Sequence, residues 1–186
     1  MKRLLIVVDM QNGFSRFDQT KHLGEKIKEL LNKKIFDTVI ATQFINYEGS
    51  QYTKILNWHR LITSPDIDLI EGLKADVVIK KNIYTCINDE FIKLLKKSNE
   101  GVEPTHVFVC GADTDCCVLK IATDLFEKGI MPVVLMDYCD SNGGPESNKA
   151  GRLVMNRLIG RNSLVDGEIK SAEQVDQILF EKSFNG

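Results

Sequence analysis

The feature that most constrains this chain is an alternation. Short, apolar, β-branched runs recur along it, and longer segments of helical period separate them. The runs read as strands at Leu4–Asp9, Thr38–Thr42, Asp76–Lys80, His106–Cys110 and Pro132–Met136, with a weaker one at Ser163–Val165. Several are apolar at consecutive positions instead of every second one, as expected of strands in a parallel sheet covered by helices on both faces. Among the intervening segments, Leu23, Ile27, Leu30 and Leu31 share one helical face, and Phe91, Ile92 and Leu95 follow a capping Asn88. Val118, Ile121, Ala122 and Leu125 form a stripe that ends at Gly129. Ala150, Leu153, Val154 and Leu158 form another, stopped by Gly160. Ser171 with Gln174 reads as a capping box for a last helix through Leu179. Strands and helices in this order predict βαβ units, hence one α/β domain over residues 1–186 with no repeat or linker.

Composition narrows the function. At 43% hydrophobic over 186 residues, the chain has enough apolar mass for a sizeable core. Its 24 basic and 26 acidic residues give a formal charge of −2, and the basic pairs are scattered, so neither nucleic acid nor a membrane surface is an expected partner. No apolar run approaches bilayer length, and the apolar part of the opening segment is too short for most signal peptides. Five cysteines, two of them adjacent, do not make a disulfide framework; reduced thiols and a cytoplasmic location are expected.

In open parallel sheets, ligands gather at the carboxyl ends of the strands, near the point where strand order reverses. That rule selects Asp9, the Thr42–Asn46 segment, Lys80-Lys81, the Gly111–Cys117 loop and Asp137–Ser141. In Cys110-Gly111-Ala112-Asp113-Thr114-Asp115-Cys116-Cys117, a strand ends, a glycine permits a tight turn, and a helix begins with Thr114 or Asp115 as its cap. Cys117 then lies near the helix amino end, where free N–H groups stabilise a thiolate and can hold an oxyanion. A small buried core cysteine is the equally weighted alternative. Asp9, at the mouth of a buried strand, suits proton transfer, although capping of the next turn explains it as well. One of Lys80 and Lys81 can pair with Asp9 and act on a nearby thiol, while the other reaches water. Phe14, Phe44, Trp58 and Tyr84 are candidates to wall a pocket for a small planar substrate, with ordinary loop packing as the rival. Asn46, Ser141 and Asn142 are weaker candidates for polar contacts.

These segments together resemble the isochorismatase-like cysteine hydrolase superfamily, which includes nicotinamidase-related amidases. Asp9-Met10-Gln11-Asn12-Gly13-Phe14 is similar to that family's D-x-Q-x-x-F opening. Lys81-Asn82-Ile83-Tyr84-Thr85-Cys86 is similar to the stretch around its lysine, and Gly111-Ala112-Asp113-Thr114-Asp115-Cys116-Cys117-Val118 to its G-x-x-T-D-x-C-V. The resemblance implies a three-layer α/β/α fold with a six-stranded parallel sheet, an Asp9-Lys81-Cys117 triad, and a cis peptide at Ala112–Asp113. It also implies oxyanion donors at Asp113 and Cys117, a small-molecule amide substrate, and a homo-oligomer in which the Trp58 loops meet a neighbour. Retention of a cysteine at the nucleophile position favours amide or carbamoyl cleavage over the vinyl-ether chemistry of the isochorismate hydrolases.

Two departures qualify the likeness. Asp113 stands where a small or apolar residue is expected, and its charge disfavours anionic substrates. After the second strand, where metal-dependent nicotinamidases carry a D-x-H…H cluster, this chain reads Thr42-Gln43-Phe44-Ile45-Asn46. His59 alone does not make a zinc site, so neither a catalytic metal nor another cofactor is expected. Two rivals remain open. A nucleotide or flavin binder is opposed by the absence of a glycine-rich phosphate motif. A catalytically silent binding protein of the same fold is opposed by nothing in the sequence.

Overall fold

Strands buried along their whole length set the middle of the sheet. β1 (Leu4–Val8) and β4 (His106–Ala112) are buried at every residue. They pair with each other, and β1 pairs on its other side with β2 (Thr38–Phe44). β3 (Val77–Lys81), β5 (Met131–Asp140) and β6 (Leu164–Val165) complete a six-stranded sheet in the order β3-β2-β1-β4-β5-β6, with every pairing parallel. The structure is a computed structural model and describes residues 2–184. Helices α1 (Asp18–Asn32), α2 (Gln51–Lys54), α3 (Asp89–Ser98), α4 (Leu119–Glu127), α5 (Pro145–Ile159) and α6 (Ala172–Phe184) lie between and after the strands. None of the described helices is long and apolar enough to cross a membrane.

The chain builds outward from β1 to β3 and then returns to β4 beside β1. The reversal opens the crevice between the carboxyl ends of β1 and β4. Local signals work as read: Asn88 accepts the Phe91 N–H at 2.9 Å to cap α3, and Gly129, at φ +76°, follows α4.

Three strands run further than their apolar runs. β2 continues through Gln43-Phe44, β4 through Gly111-Ala112, and β5 through Asp140. The stretch Asp137–Asp140, expected in a loop, therefore stays in the sheet, its register shifted against β4 between Val109 and Gly111. Backbone pairing carried the strand past the point where side-chain hydrophobicity ended.

The expected stripe on α5 is also corrected. Gly151, Met155 and Ile159 are the residues it buries, whereas Leu153, Val154 and Leu158 are exposed at 69%, 44% and 50%. The reason is a close approach. A Cβ on Gly151 would lie 2.7 Å from the Asp115 Cα, so the glycine face is the one that can press on the turn after β4.

Gly111 is a second site where only hydrogen fits. Its φ is +122°, and a Cβ would meet the Val8 carbonyl oxygen at 2.2 Å. Gly111→Ala is expected to cost at least about 3 kcal/mol, by strain and by forcing β4 from β1. Gly129→Ala, which meets open space, is expected to cost about 1–2 kcal/mol. Urea midpoints of the two variants check this; equal losses would show that the strand approach is unimportant.

Candidate active site

Asp9 leaves β1 with φ +49° and is fully buried. Its backbone N–H donates to Thr42 Oγ1 at 3.1 Å, and the Thr42 hydroxyl donates to Asp9 Oδ1 at 2.6 Å. β2 thereby fixes the carboxylate of β1. Two residues on, Gln11 acts as a substitute strand. Its Nε2 donates to the carbonyls of Phe44 and Ile67, and its Oε1 accepts the Phe44 N–H at 2.7 Å. The chain leaving β1 is thus tied to the end of β2.

The edge strand β3 alternates, which decides between its two lysines: Lys80 is exposed and Lys81 is buried. Lys81 Nζ lies 2.7 Å from Asp9 Oδ2, 3.3 Å from Cys117 Sγ and 3.2 Å from the Ile83 carbonyl, and 5.0 Å from the Phe44 ring centre. Asp9 Oδ2 meets the ammonium directly, while Oδ1 is held by Thr42. Burial pulls the Lys81 ammonium down, but the Asp9 carboxylate and the Cys117 sulfur outweigh it and hold Lys81 above its ordinary value.

Cys117 comes from a π-helical turn, Thr114–Val118, that runs into α4. The Asp113 carbonyl accepts from the Cys116 and Val118 N–H groups, both at 3.1 Å. Asp113, not Thr114 or Asp115, is the cap residue, and its side chain does not cap the turn. Its Oδ1 instead accepts from the Asn142 backbone N–H at 2.9 Å and from Asn142 Nδ2 at 2.6 Å. Asp115 is turned the other way and accepts from Ser141 Oγ at 2.5 Å. The Ala112–Asp113 peptide before this turn is cis.

The expectation of a standing thiolate at Cys117 is corrected. Burial pushes the thiol well above its usual range and the Asp9 charge adds to that, while Lys81 only partly opposes them. Cys117 therefore rests as a thiol in a trio with Asp9 and the Lys81 ammonium. Moving the thiol proton to Asp9 leaves the net charge of the trio unchanged, which suits a buried site.

A cavity of about 420 Å³ opens onto Cys117. Phe14, Phe44, Trp58 and Tyr84 all line it, with Cys116, Asp113 and Asn142. The aromatic residues also pack on one another: the Phe14 and Trp58 rings stack at 6.1 Å, and Tyr52 meets Phe44 at 5.1 Å and Tyr84 at 5.2 Å. Wall and loop packing are one structure here. Thr42 opens the Thr42–Asn46 segment that the strand-end rule selects, whereas no motif marks Tyr52, Arg16 or Arg60; for Tyr52 and Arg60 the aromatic and basic content between β2 and β3 is the one signal.

The polar candidates divide. Asn142 reaches the cavity, Ser141 serves Asp115, and Asn46 is spent on structure, donating to the Trp58 and Arg60 carbonyls and accepting from Tyr47 N–H and Ser50 Oγ. The donor set at the end of β2 does not fit a metal. Phe44 offers none, Asn46 is committed, and His59 has one carboxylate, Glu48, at 3.2 Å. Among the described residues, no three His, Cys, Asp or Glu side chains gather as a metal site.

Comparison with known proteins bears on this geometry. The isochorismatase domain model matches residues 3–158. No curated protein matches the sequence. Among solved structures, an isochorismatase-like hydrolase from Alkaliphilus metalliredigens is 18% identical, with TM-score 0.75, over 96% of this chain and 100% of its own. A zinc complex of the pyrazinamidase of Pyrococcus horikoshii is 21% identical, with TM-score 0.73, over 91% and 100%. The N-carbamoylsarcosine amidase of Thermoplasma acidophilum is 20% identical, with TM-score 0.71, over 92% and 100%. At these identities the likeness shows a shared fold.

Asp113 supplies a pH test. Burial raises its carboxyl to about 6 against the bonds from Asn142. A group raised on folding favours the folded state below its unfolded value near 4, and that support disappears as pH rises through 6. Asp113→Asn, which keeps an acceptor for Asn142, is therefore expected to gain about 2–3 kcal/mol over the parent at pH 7.5 and only about 1 kcal/mol at pH 4.5. Urea unfolding at both pH values measures the difference; a gain independent of pH would contradict it.

Proposed function

The chain belongs to the isochorismatase family, and from that premise we propose that it is a cysteine hydrolase cleaving a small-molecule amide or carbamoyl C–N bond, with Asp9, Lys81 and Cys117 as catalytic residues. The observation that carries this reading is the contact of one buried ammonium with both a carboxylate at 2.7 Å and a thiol sulfur at 3.3 Å, beside a cavity. Similar folds solved as a pyrazinamidase and an N-carbamoylsarcosine amidase support the substrate class.

The proposed steps follow from the proton inventory. As a carbonyl enters, Asp9 takes the Cys117 proton, and the thiolate, held beside Lys81, attacks the carbonyl carbon. The oxyanion is received by the backbone N–H groups of Asp113 and Cys117, where loss of one donor costs about 10²–10³-fold in rate. The tetrahedral adduct collapses with cleavage of the C–N bond while Asp9 returns the proton to the leaving nitrogen, which gives a thioester. Water then attacks the thioester carbon and gives a proton to Asp9. The C–S bond breaks, the acid or carbamate departs, and Asp9 reprotonates the sulfur.

Cys116 lines the same cavity but makes no contact with Lys81 or Asp9 among the described interactions. On the best substrate of a small-amide panel followed by ammonia release, Cys117→Ala is expected to reduce turnover to background. Asp9→Asn should lose about 10²–10⁴-fold, and Cys116→Ala should stay within about threefold of the parent. Equal losses in the two cysteine variants would refute the assignment of the nucleophile.

A further inference from the structure

The charged residues that line the cavity are not all paired with one another. Arg16 is matched: its Nη2 meets both carboxylate oxygens of Asp66 at 2.6 Å. Lys81, behind the wall, is matched by Asp9. Asp113 has its Oδ1 held by two donors from Asn142. Arg60 also lines the cavity, and its guanidinium has neither an ion-pair nor a hydrogen-bond partner among the described residues. It is the one cation of the lining without a counter-charge.

Arg60 does not hang on a loose loop. The buried Asn46 donates Nδ2 to the carbonyls of Trp58 and Arg60 at 3.0 and 3.1 Å, and its own N–H donates to the Leu61 carbonyl at 2.7 Å. Leu61 is buried beside it. The backbone is thus anchored on both sides of Arg60, while its side chain is exposed at the cavity. An unmatched guanidinium on an anchored backbone, lining the same cavity as the stacked Phe14 and Trp58, is the chemistry that receives a planar oxyanion in a paired, two-point contact.

We propose that Arg60 is a specificity residue of this site and that its substrates are small, largely planar amides or carbamoyl compounds that also carry a carboxylate. The substrate would bind with the carboxylate at Arg60 and the scissile carbonyl at Cys117. Asp113, at the nucleophile end, reinforces that orientation by repelling an anion placed there, since like charges in a partly desolvated site disfavour each other. Taken alone, Asp113 gives the opposite expectation, a preference for neutral substrates, so the two residues can be told apart.

The proposal rests on the amidase reading for the word substrate, and the test separates the two. In Cys117→Ala protein, affinities are measured by calorimetry for two half-amides, succinamate and isophthalamate, and for the neutral diamides succinamide and isophthalamide. The expected result is at least tenfold tighter binding of one half-amide than of its diamide. The preference should be lost in Cys117→Ala with Arg60→Gln and partly kept with Arg60→Lys. Equal affinity for acid and diamide, or a preference that survives Arg60→Gln, would overturn the proposal. Turnover of the same compounds by the Cys117 protein reports on the amidase reading separately. Selective binding with no hydrolysis would leave Arg60 as an anion-recognition residue and remove the enzymatic role.

Discussion

One buried ammonium organises the centre of this protein. Lys81 comes from an edge strand, where a lysine ordinarily reaches water, yet its side chain is 3% exposed and its nitrogen touches Asp9 and Cys117. A charge taken out of water is tolerated only with a partner and with its remaining donors satisfied. Here Asp9 supplies the counter-charge, and the Ile83 carbonyl and the Cys117 sulfur accept from the same nitrogen. Asp9 is in turn held by Thr42, so the ends of β1, β2 and β3 and the turn after β4 are locked around one cation. Withdrawing any one of these groups leaves another buried without its match.

This arrangement also explains why the sulfur rests as a thiol. Cys117 is buried, and the charge of the neighbouring Asp9 carboxylate also opposes its ionisation. A thiolate therefore forms only when its proton passes to Asp9, an exchange that keeps the total charge beside Lys81 constant. Low dielectric then works in favour of reaction, because the new anion remains next to a fixed ammonium instead of solvent.

Much of this was legible in the sequence, for physical reasons that also mark where legibility stopped. Consecutive apolar residues showed β1 and β4 to be covered on both faces, and the strand-end rule placed Asp9, Lys81 and Cys117 on one edge. Alternation on β3 separates Lys81 from Lys80 only once the buried face is known. The α5 stripe misled because hydrophobicity chose Leu153, Val154 and Leu158, whereas steric fit chose Gly151. The bond from Thr42 to Asp9, and the places of Tyr52 and Arg60, were invisible for a different reason: each involves partners distant in sequence, and no local pattern records them. Asp113 looked like a charge beside the nucleophile, and only the fold reveals that Asn142 occupies it.

The coupling of Cys117 to its two charged neighbours is tested most directly by titrating that one thiol. The rate of Cys117 alkylation by iodoacetamide, followed against pH by peptide mass spectrometry, gives its ionisation in the parent, in Lys81→Met and in Asp9→Asn. The expected result is a pair of opposite shifts: upward by about one unit or more when the cation is removed, and downward by a similar amount when the carboxylate is neutralised. Shifts of the same sign, or a thiol indifferent to both substitutions, would contradict the electrostatic coupling on which the proposed chemistry depends.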